Sequence, residues 1–344
     1  MWHPWGVRKP VTLVTGAGGE IGHGLLAALA GSGTVIVTLD LSPLDPALAP
    51  LVAREFTGSI TDASLLERIL AEFEVDLIFH LAALLSTRSE FAPLTAHRVN
   101  VEGTLQLLEF AQKEGESHGR PVVFVYPSSI AAYGVPDAGT KAAAGRVRED
   151  EWLQPITMYG CNKLACEQMG RYYARHYKQL SAEAGVPHVD FRAVRLPGLL
   201  SAATLPAGGT SDYAPEMVHA AARGEPYTCF VGPETRIPFL AMPDAVEALV
   251  ALSVARRDRL TRTAYNAGGF SVTAGAIRDV TQQAFPDAAI TFGVDVKRQR
   301  IVDSWPSEVD DSAARADWGF APRFDFDNAF SEYLIPTIRQ RYAR

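Results

Sequence analysis

The segment TGAGGEIG, residues 15–22, restricts the fold of this chain more than any other feature of the sequence. It lies between a β-branched run and a helix-like pattern, and Gly16, Gly19 and Gly22 form Gly-x-x-Gly-x-x-Gly. In such a turn the missing Cβ atoms let the backbone approach a pyrophosphate and let the helix pack on the strand. The helix N-terminus then faces the phosphates. A plain tight turn could contain the same glycines, so the motif gains weight only from its surroundings.

Strand-like and helix-like segments alternate from the start of the chain to residue 198. The pattern predicts strands at residues 11–15, 34–40, 76–82, 121–129 and 188–198, and helices at 20–31, 61–73, 93–115 and around residues 158–163. Such repetition implies a parallel sheet with helices on both faces. The predicted fold class is therefore α/β, a Rossmann-type doubly wound parallel sheet.

After residue 198 the elements become shorter and are punctuated by Pro and Gly, which predicts a smaller, interleaved C-terminal substrate lobe. The predicted dinucleotide-binding domain covers 8–198 with a returning segment near 235–266. The substrate lobe covers 199–234 and 267–344. Two loops are lengthened near 137–148 and 178–186, and AGTKAAAGR (138–146) has the composition of a flexible insertion.

An acidic residue supports a dinucleotide as the ligand of the glycine-rich turn. Asp40 ends the second predicted strand, 18 residues after Gly22. A carboxylate at this place can bind both ribose hydroxyls of NAD and would repel the 2′-phosphate of NADP. The sequence therefore predicts NAD rather than NADP.

The segment MYGCNK, residues 158–163, carries the candidate proton-transfer groups. Tyr159 and Lys163 are one helical turn apart and project from the same face, an arrangement that is also common on exposed helices. The strand before them runs into Ser128 and Ser129 at its C-terminal end, where open α/β sheets bind ligands. A lysine charge favours the phenolate, and a serine can hydrogen-bond the reacting oxygen. The set predicts proton transfer beside a bound nicotinamide.

Over nearly the whole chain these segments resemble the extended short-chain dehydrogenase/reductase (NAD-dependent epimerase/dehydratase) superfamily. The matching motifs are TGAGGEIG, HLAA (80–83), VNVEGT (99–104), SSIAAYG (128–134) and YGCNK (159–163). The resemblance implies that Ser129, Tyr159 and Lys163 are catalytic, with Tyr159 as acid/base. It also implies that Tyr159 and Lys163 bind the cofactor, Lys163 at the ribose. The other cofactor-binding residues that motif and resemblance imply are Gly16, Gly19, Glu20, Ile21, Gly22, Asp40, Ser59, Ile60, Leu81, Ala82, Ala83, Asn100, Ser128 and Pro197. Ser59 departs from the pattern, since many members carry there an aspartate that hydrogen-bonds adenine.

The C-terminal half is similar to the short-chain type of L-threonine 3-dehydrogenase, which oxidises the C3 hydroxyl of L-threonine with NAD. The segments that carry this similarity are HLAALLS (80–86), RLPGLLS (195–201), GGTSDYAPEM (208–217) and DSWPSEVDDSAARADWGF (303–320). The family's loop Gly-Thr-Thr-Asp-Tyr corresponds to Gly-Thr-Ser-Asp-Tyr at 209–213. The resemblance implies that Ser86, Thr210 and Asp212 bind the substrate together with Ser129 and Tyr159.

Asp212 has two open roles at this stage. Its carboxylate can bind the ammonium of an amino acid, while hydroxyls and backbone amides bind the carboxylate of that substrate. It also precedes the helix-like YAPEMVHAA, where aspartate is a favoured N-cap. The two roles could coexist.

Three alternative functions also remain open. They are an NAD-dependent sugar-acid dehydrogenase with a D-erythronate-like substrate, a nucleotide-sugar 4-epimerase, and a dinucleotide sensor without catalysis on the same fold. The first two share the cofactor motifs. A sensor would have no need of the Ser129, Tyr159 and Lys163 set.

Charge and hydropathy limit the partners of the chain. A net charge of −7 without a long basic run argues against nucleic-acid binding. No apolar stretch has the ~18 residues of a membrane span, and the N-terminus lacks a signal-peptide core. The three cysteines fit no metal spacing, so no metal is predicted. We expect a cytoplasmic enzyme with a small-molecule substrate, and the resemblance implies a homodimer through the helices at 93–115 and 158–180.

Overall fold

A computed structural model of the chain describes residues 9–181, 185–206 and 208–343. The strands are β1 (Lys9–Thr15), β2 (Ile36–Asp40), β3 (Arg54–Thr57), β4 (Phe73–His80), β5 (Val122–Ser129), β6 (Arg146–Val147), β7 (Val189–Leu196), β8 (Gly198–Leu200), β9 (Tyr227–Cys229), β10 (Arg236–Ala241), β11 (Ala264–Asn266), β12 (Phe270–Thr273), β13 (Ile290–Phe292) and β14 (Glu308–Val309). The helices are α1 (Glu20–Ala30), α2 (Ala63–Glu72), α3 (Ser86–Phe91), α4 (Pro93–His97), α5 (Gly103–His118), α6 (Ala138–Ala143), α7 (Met158–Arg175), α8 (Tyr213–Arg223), α9 (Met242–Val254), α10 (Ala274–Ala284), α11 (Val296–Asp303), α12 (Ser312–Trp318), α13 (Phe326–Asn328) and α14 (Ile335–Tyr342). Short 3₁₀ helices cover Ala49–Leu51, Ile130–Ala132 and Arg257–Arg259, and π-helical turns cover Arg98–Glu102 and Ala329–Leu334.

Seven parallel strands form the central sheet in the order β11-β7-β5-β4-β1-β2-β3. Every residue of β7 is buried, as expected where helices cover both faces of a parallel sheet. The strand order reverses between β1 and β4, and ligands of open α/β sheets bind at the carboxyl ends of the strands beside such a point. The predicted α/β Rossmann-type fold is confirmed.

In the part of the chain that the structure describes, three small sheets lie outside the central one, in the orders β12-β10-β8, β13-β9 and β14-β6. The segment predicted to return near 235–266 is divided between the two kinds of sheet. β10 pairs with β8 and β12, whereas β11 extends the central sheet and α9 packs against α1 and β5. The division of the chain into two lobes at the predicted boundaries stays a prediction.

The flexible insertion predicted at 138–146 is wrong. This segment forms α6 and β6, and β6 pairs in parallel with β14 from the C-terminal part of the chain. Lys141 is buried and its Nζ donates to the Val302 carbonyl oxygen at 3.2 Å. Its composition is typical of a flexible insertion, but a long-range strand pair and the bond of a buried lysine hold the segment in place. In the other lengthened loop, residues 182–184 lie outside the described residues.

Two predicted helices differ in detail from the observed ones. The helix expected at 93–115 is divided into α4 and α5 by the π-helical turn Arg98–Glu102. The helix expected at 61–73 is capped by Asp62 and ends at Glu72, and Phe73 already belongs to β4. Within the described ranges, no helix is long and apolar enough to cross a membrane.

Candidate active site

The glycine turn after β1 is a close contact between two strand ends. Gly16 has a φ of +70°, and a Cβ on it would lie 2.5 Å from the Ala82 nitrogen. A Cβ on Gly22 would lie 2.2 Å from the Ala17 carbonyl oxygen, so only glycine allows α1 to pack on the turn. Accessible backbone therefore lies at the switch point of the sheet. It belongs to the glycine turn, the first residues of α1 and the Leu81–Ala83 segment after β4. This cradle fits a pyrophosphate, and α1 begins there with the N–H groups of Glu20 and Ile21.

Asp40, at the end of β2, lies beside the glycine turn. Its Oδ2 accepts a hydrogen bond from the Gly18 N–H at 2.9 Å, and its Oδ1 accepts one from the Ser42 N–H at 3.4 Å. These bonds hold the carboxylate at the edge of the cradle, where the sequence predicts a ribose.

We expect Asp40→Ala to weaken NAD binding by about 10-fold, because the variant loses a hydrogen bond to a charged group. The preference for NAD over NADP should also become smaller. The measurement is titration of the purified variant with each dinucleotide. Asp45→Ala is a matched control, because Asp45 is an exposed carboxylate in the next loop that accepts from the Ala47 N–H. A wild type that prefers NADP at equal concentration would contradict the role of Asp40.

Asn100 and His80 fix the strand ends on the other side of the cradle. Asn100 lies in the π-helical turn, its Oδ1 accepts from the Leu84 N–H at 2.7 Å, and its Nδ2 donates to the Leu84 carbonyl at 3.1 Å. His80 is buried between the hydroxyls of Thr15 and Thr104 at 2.7 and 2.9 Å, and burial lowers its pKa to about 3. A neutral His80 therefore has a structural role, because it links Thr15 at the end of β1 to Thr104 on α5 by hydrogen bonds. Sequence reasoning used the HLAA motif without finding this role.

Three other predicted cofactor residues have mainly local contacts. Ser59 Oγ lies 2.7 Å from Thr61 Oγ1, within the same turn. The Ile60 side chain is buried, and a Cβ on Gly103 would lie 2.6 Å from its Cδ1, so the side chain faces α5. Pro197 is buried between β7 and β8. Cofactor contacts from these residues stay predictions.

The first turn of α7 packs against the 3₁₀ helix Ile130–Ala132, which directly follows β5, and the missing side chain of Gly160 makes this possible. A Cβ on Gly160 would lie 2.0 Å from the Ala131 carbonyl oxygen. Thr157 caps the helix by accepting from the Gly160 N–H at 3.0 Å. Ser129 lies half-buried at the end of β5, where its Oγ accepts from the Ala131 N–H at 3.1 Å. Tyr159 and Ser129 thus belong to two elements in direct contact.

Lys163 is buried one turn further along α7. Its Nζ donates to the Pro127 carbonyl oxygen at 2.7 Å and lies 4.5 Å from the ring centroid of Tyr126 and 5.4 Å from that of Tyr159. Burial lowers the pKa of Lys163 to about 8 and raises the pKa of Tyr159. The ammonium lies near the ring of the tyrosine whose phenolate it would stabilise, as the spacing in the sequence predicts.

The predicted substrate residues also meet across the fold. Ser86 begins α3, and its Oγ accepts from both the N–H and the Oγ1 of Thr210, at 3.1 and 3.0 Å. Both side chains are buried, although 124 residues separate them. The loop before α8 is therefore attached to the segment that follows β4.

The helix-cap role weighed for the Asp212 side chain is wrong. Asp212 precedes α8, but its side chain makes no capping hydrogen bond. Its Oδ2 instead accepts from the N–H groups of Gly208 and Gly209, at 2.9 and 2.6 Å. The carboxylate therefore bonds to the backbone of its own loop. The sequence pattern, an aspartate directly before a helix, is the same for this arrangement and for a helix cap.

The profile of the NAD dependent epimerase/dehydratase family matches residues 12–268. The chain belongs to this family. NAD is its cofactor, and the glycine cradle together with Asp40 fits that dinucleotide.

Similar proteins cover nearly all of this epimerase/dehydratase. An uncharacterized epimerase/dehydratase of Staphylococcus aureus (strain USA300) is 33% identical over 96% of this chain and 97% of its own length. The L-threonine dehydrogenase structure from Clostridium difficile has a TM-score of 0.83 at 31% identity and covers 98% of this chain and 99% of that one. A monomeric L-threonine 3-dehydrogenase from a metagenome has a TM-score of 0.83 at 32% identity, over 96% and 100%. The family member described here is thus an NAD-dependent oxidoreductase or epimerase with a small-molecule substrate.

Sequence reasoning missed two charged residues of this family member beside the candidate site. Glu167 follows Lys163 by one helical turn, and Arg195 is the residue of β7 that pairs in register with Ser128 of β5. The Ser128 hydroxyl, predicted to contact the cofactor, donates to Glu167 Oε1 at 2.5 Å. The i+4 spacing from Lys163 was the available signal for Glu167. Among the described residues, no group of three or more His, Cys, Asp or Glu side chains could hold a metal ion.

Proposed function

We propose that the protein oxidises the C3 hydroxyl of L-threonine with NAD to give 2-amino-3-oxobutyrate. The observation that carries the proposal is the loop 208–212, which Thr210 attaches to Ser86 and which Asp212 closes by accepting from Gly208 and Gly209. This loop contains the Gly-Thr-Ser-Asp-Tyr sequence that is similar to the threonine dehydrogenase loop. The likeness to solved threonine dehydrogenases over almost the whole chain supports the same substrate.

In the proposed reaction, Tyr159 Oη takes the proton of the substrate hydroxyl. Lys163, whose ammonium is buried beside the Tyr159 ring, stabilises the phenolate and binds the ribose of the cofactor. Ser129 hydrogen-bonds the reacting oxygen. NAD, when bound, would supply the hydride acceptor for the substrate carbon. Asp40 binds the adenosine ribose, and Asp212 binds the substrate ammonium.

The test is a set of initial rates with NAD and one candidate substrate at a time: L-threonine, D-erythronate and UDP-galactose. Absorbance at the reduced-nicotinamide band follows the reaction. The proposal expects the largest specificity constant with L-threonine. NADH formation only with D-erythronate would favour the sugar-acid dehydrogenase. Epimerisation of UDP-galactose without net NADH would favour the epimerase, and NAD binding without turnover of any member of a wider alcohol panel would favour a sensor.

We expect Asp212→Asn to lower the specificity constant for L-threonine by about 10 to 150-fold, because a hydrogen bond between charged groups contributes roughly 1.5–3 kcal/mol. Asparagine keeps one side-chain oxygen that can accept from the Gly208 and Gly209 N–H groups, so the loop should keep its shape. NAD affinity should hardly change. The measurements are the specificity constant and the melting temperature of the same variant.

Asp295→Asn is the matched control for Asp212→Asn. Asp295 also accepts two backbone N–H groups, from Lys297 and Arg298 at the start of α11, but has no predicted contact with ligands. Its replacement should leave the specificity constant unchanged. If Asp212→Asn behaves like this control, Asp212 only closes the loop and does not bind the ammonium. With D-erythronate the substitution should cost little, since a sugar acid has no ammonium.

The proposal includes a homodimer in the cytoplasm. Phe91 and Leu94 are 86% and 63% exposed at the end of α3 and on α4, and Tyr172 is exposed on α7. Burial of these side chains against a second copy would remove apolar surface from water. Light scattering of the purified chain should give twice the mass of the monomer, whereas the monomer mass would refute the dimer.

A further inference from the structure

A buried ion pair lies directly behind the candidate catalytic groups. Arg195 donates to Glu167 twice, from Nη2 to Oε2 at 2.6 Å and from Nε to Oε1 at 2.9 Å. The two side chains are only 2% and 3% exposed. Removing two charges from water is costly unless the geometry and additional hydrogen bonds compensate for it. Here the additional bonds lead from the ion pair to the active-site end of the sheet.

The Ser128 hydroxyl supplies the bond on the sheet side. Ser128 is 3% exposed, and its Oγ donates to Glu167 Oε1 at 2.5 Å. Ser128 and Arg195 are register partners in the parallel β5–β7 pair, so the ion pair binds both strand ends at the same level. The Ser128 hydroxyl is therefore directed toward the Glu167–Arg195 ion pair, and its role depends on which parts of the active site this ion pair holds in place.

Helix α7 is attached at three successive turns to the end of β5 and to the 3₁₀ helix Ile130–Ala132 that follows it. Gly160 packs against the Ala131 carbonyl, Lys163 donates to the Pro127 carbonyl at 2.7 Å, and Glu167 accepts from Ser128. The contact of Lys163 lies between the other two. Its position therefore depends on how firmly the strand end at Pro127 and Ser128 is held against the helix.

The other side of Arg195 extends the network toward the C-terminal part of the chain. Its Nη1 donates to the Tyr133 hydroxyl and to the Glu149 carbonyl oxygen, both at 2.8 Å. The Tyr133 hydroxyl donates to Asn266 Oδ1 at 2.7 Å. Asn266 Nδ2 in turn donates to the carbonyls of Val147, the last residue of β6, and of Asp310, which directly follows β14. At least four of the five guanidinium N–H groups of Arg195 thus have an acceptor, and the group is held from both sides.

We propose that Glu167, paired with Arg195, is a positioning residue that holds Ser128 and so fixes the end of β5 where the Pro127 carbonyl receives the Lys163 ammonium. Ser128 then serves as the link in this network, and its hydroxyl does not bind the cofactor. Glu167 also favours the charged form of Lys163, since its carboxylate opposes the lowering of the lysine pKa by burial. The inference rests on the proposed function only for the substrate used to measure turnover.

The test uses Ser128→Ala, which removes the link and leaves the ion pair itself intact. Ser128→Thr restores a hydroxyl as the conservative variant. Ser253→Ala is the matched control, because Ser253 is also buried and donates to a backbone carbonyl, that of Val250, near the end of α9. The measurements are kcat at saturating NAD, the NADH dissociation constant, the melting temperature, and the acetylation rate of Lys163 by mass spectrometry.

We expect Ser128→Ala to lower kcat by about 10-fold while the NADH dissociation constant stays within about twofold, since small misplacements of reacting groups are costly. Acetylation of Lys163 should become faster, because the strand end that binds its ammonium is loosened. Ser128→Thr should move kcat and the Lys163 acetylation rate back toward the wild-type values, and Ser253→Ala should change neither of them.

Two results would overturn the inference. A large rise in the NADH dissociation constant with unchanged kcat at saturation would make Ser128 a cofactor ligand. A lower melting temperature with unchanged kcat and unchanged Lys163 acetylation would make the network merely structural. If L-threonine is not a substrate, the proposed function fails, yet NADH binding and Lys163 acetylation still decide the role of Ser128.

Discussion

Replacing Tyr159 by phenylalanine should lower turnover by about 10²-fold or more and leave NAD binding almost unchanged, because the substitution removes only the proton acceptor. The ring stays and can still pack beside the Lys163 ammonium, whose Nζ lies 5.4 Å from the ring centroid. Steady-state rates at saturating NAD, together with NADH titration, measure the two parts of this expectation.

Tyr172→Phe is the matched control for Tyr159→Phe. Tyr172 belongs to the same helix, but its side chain is exposed and its hydroxyl accepts from the Lys178 N–H. This variant should keep wild-type turnover. Near-normal turnover in Tyr159→Phe would refute the assignment of Tyr159 as the acid/base, whatever the substrate.

Lys163→Met should reduce activity and cofactor affinity together, and at the same time increase the stability of the protein without cofactor. The turnover loss should be about 10² to 10⁴-fold, the range of general acid–base groups, and NAD affinity should fall by about 10 to 150-fold. Lys113→Met, a change of an exposed lysine on α5, is the control and should alter neither property.

The stability part follows from the pKa of Lys163, which burial lowers from 10.5 to about 8. Because the unfolded chain keeps its proton up to higher pH, the charged lysine destabilises the folded state below pH 8, and this cost is relieved as pH rises from 8 to 10.5. The difference between the two pKa values corresponds to about 3 kcal/mol of stability that the charged lysine costs the folded protein. The gain expected for Lys163→Met is smaller by about 1 kcal/mol, because the variant also loses the hydrogen bond to Pro127.

Urea unfolding at pH 7 and pH 9.5 shows whether the Lys163 charge raises or lowers the free energy of unfolding. Lys163→Met should be the more stable protein at pH 7, and its advantage should shrink at pH 9.5. A variant less stable than wild type at pH 7 would mean that the ammonium stabilises the fold. Such a result would contradict the expected cost of burying this charge.

Local patterns predicted the central sheet and much of the site because the relevant groups are close in sequence or follow strand ends. The glycine turn, Asp40 at the end of β2, and the i, i+4 pair of Tyr159 and Lys163 all have local signals. Burial of both faces gives parallel strands such as β5, which begins VVFVY, an apolar run that is easy to find.

The remaining features depend on contacts between distant segments, which no local pattern contains. The Ser86–Thr210 bond, the β6–β14 pair and the Glu167–Arg195 ion pair join residues that are 28 to 162 positions apart. Composition therefore made 138–146 look flexible, and the position of Asp212 before α8 made it look like a cap. In the first case the β6–β14 pair and the Lys141 bond to Val302 decide the structure. In the second case the decisive hydrogen bonds are local, because the Asp212 carboxylate accepts from the N–H groups of Gly208 and Gly209 in its own loop.

The most direct test of the proposed function is the fate of the hydrogen on C3 of threonine. L-threonine deuterated at C3 is incubated with NAD and the wild-type protein, and the reduced cofactor is analysed by mass spectrometry. The account predicts NADH that carries one deuterium on the nicotinamide ring, with little reduced cofactor formed by Tyr159→Phe. The absence of NADH, or NADH without deuterium, would contradict oxidation at C3.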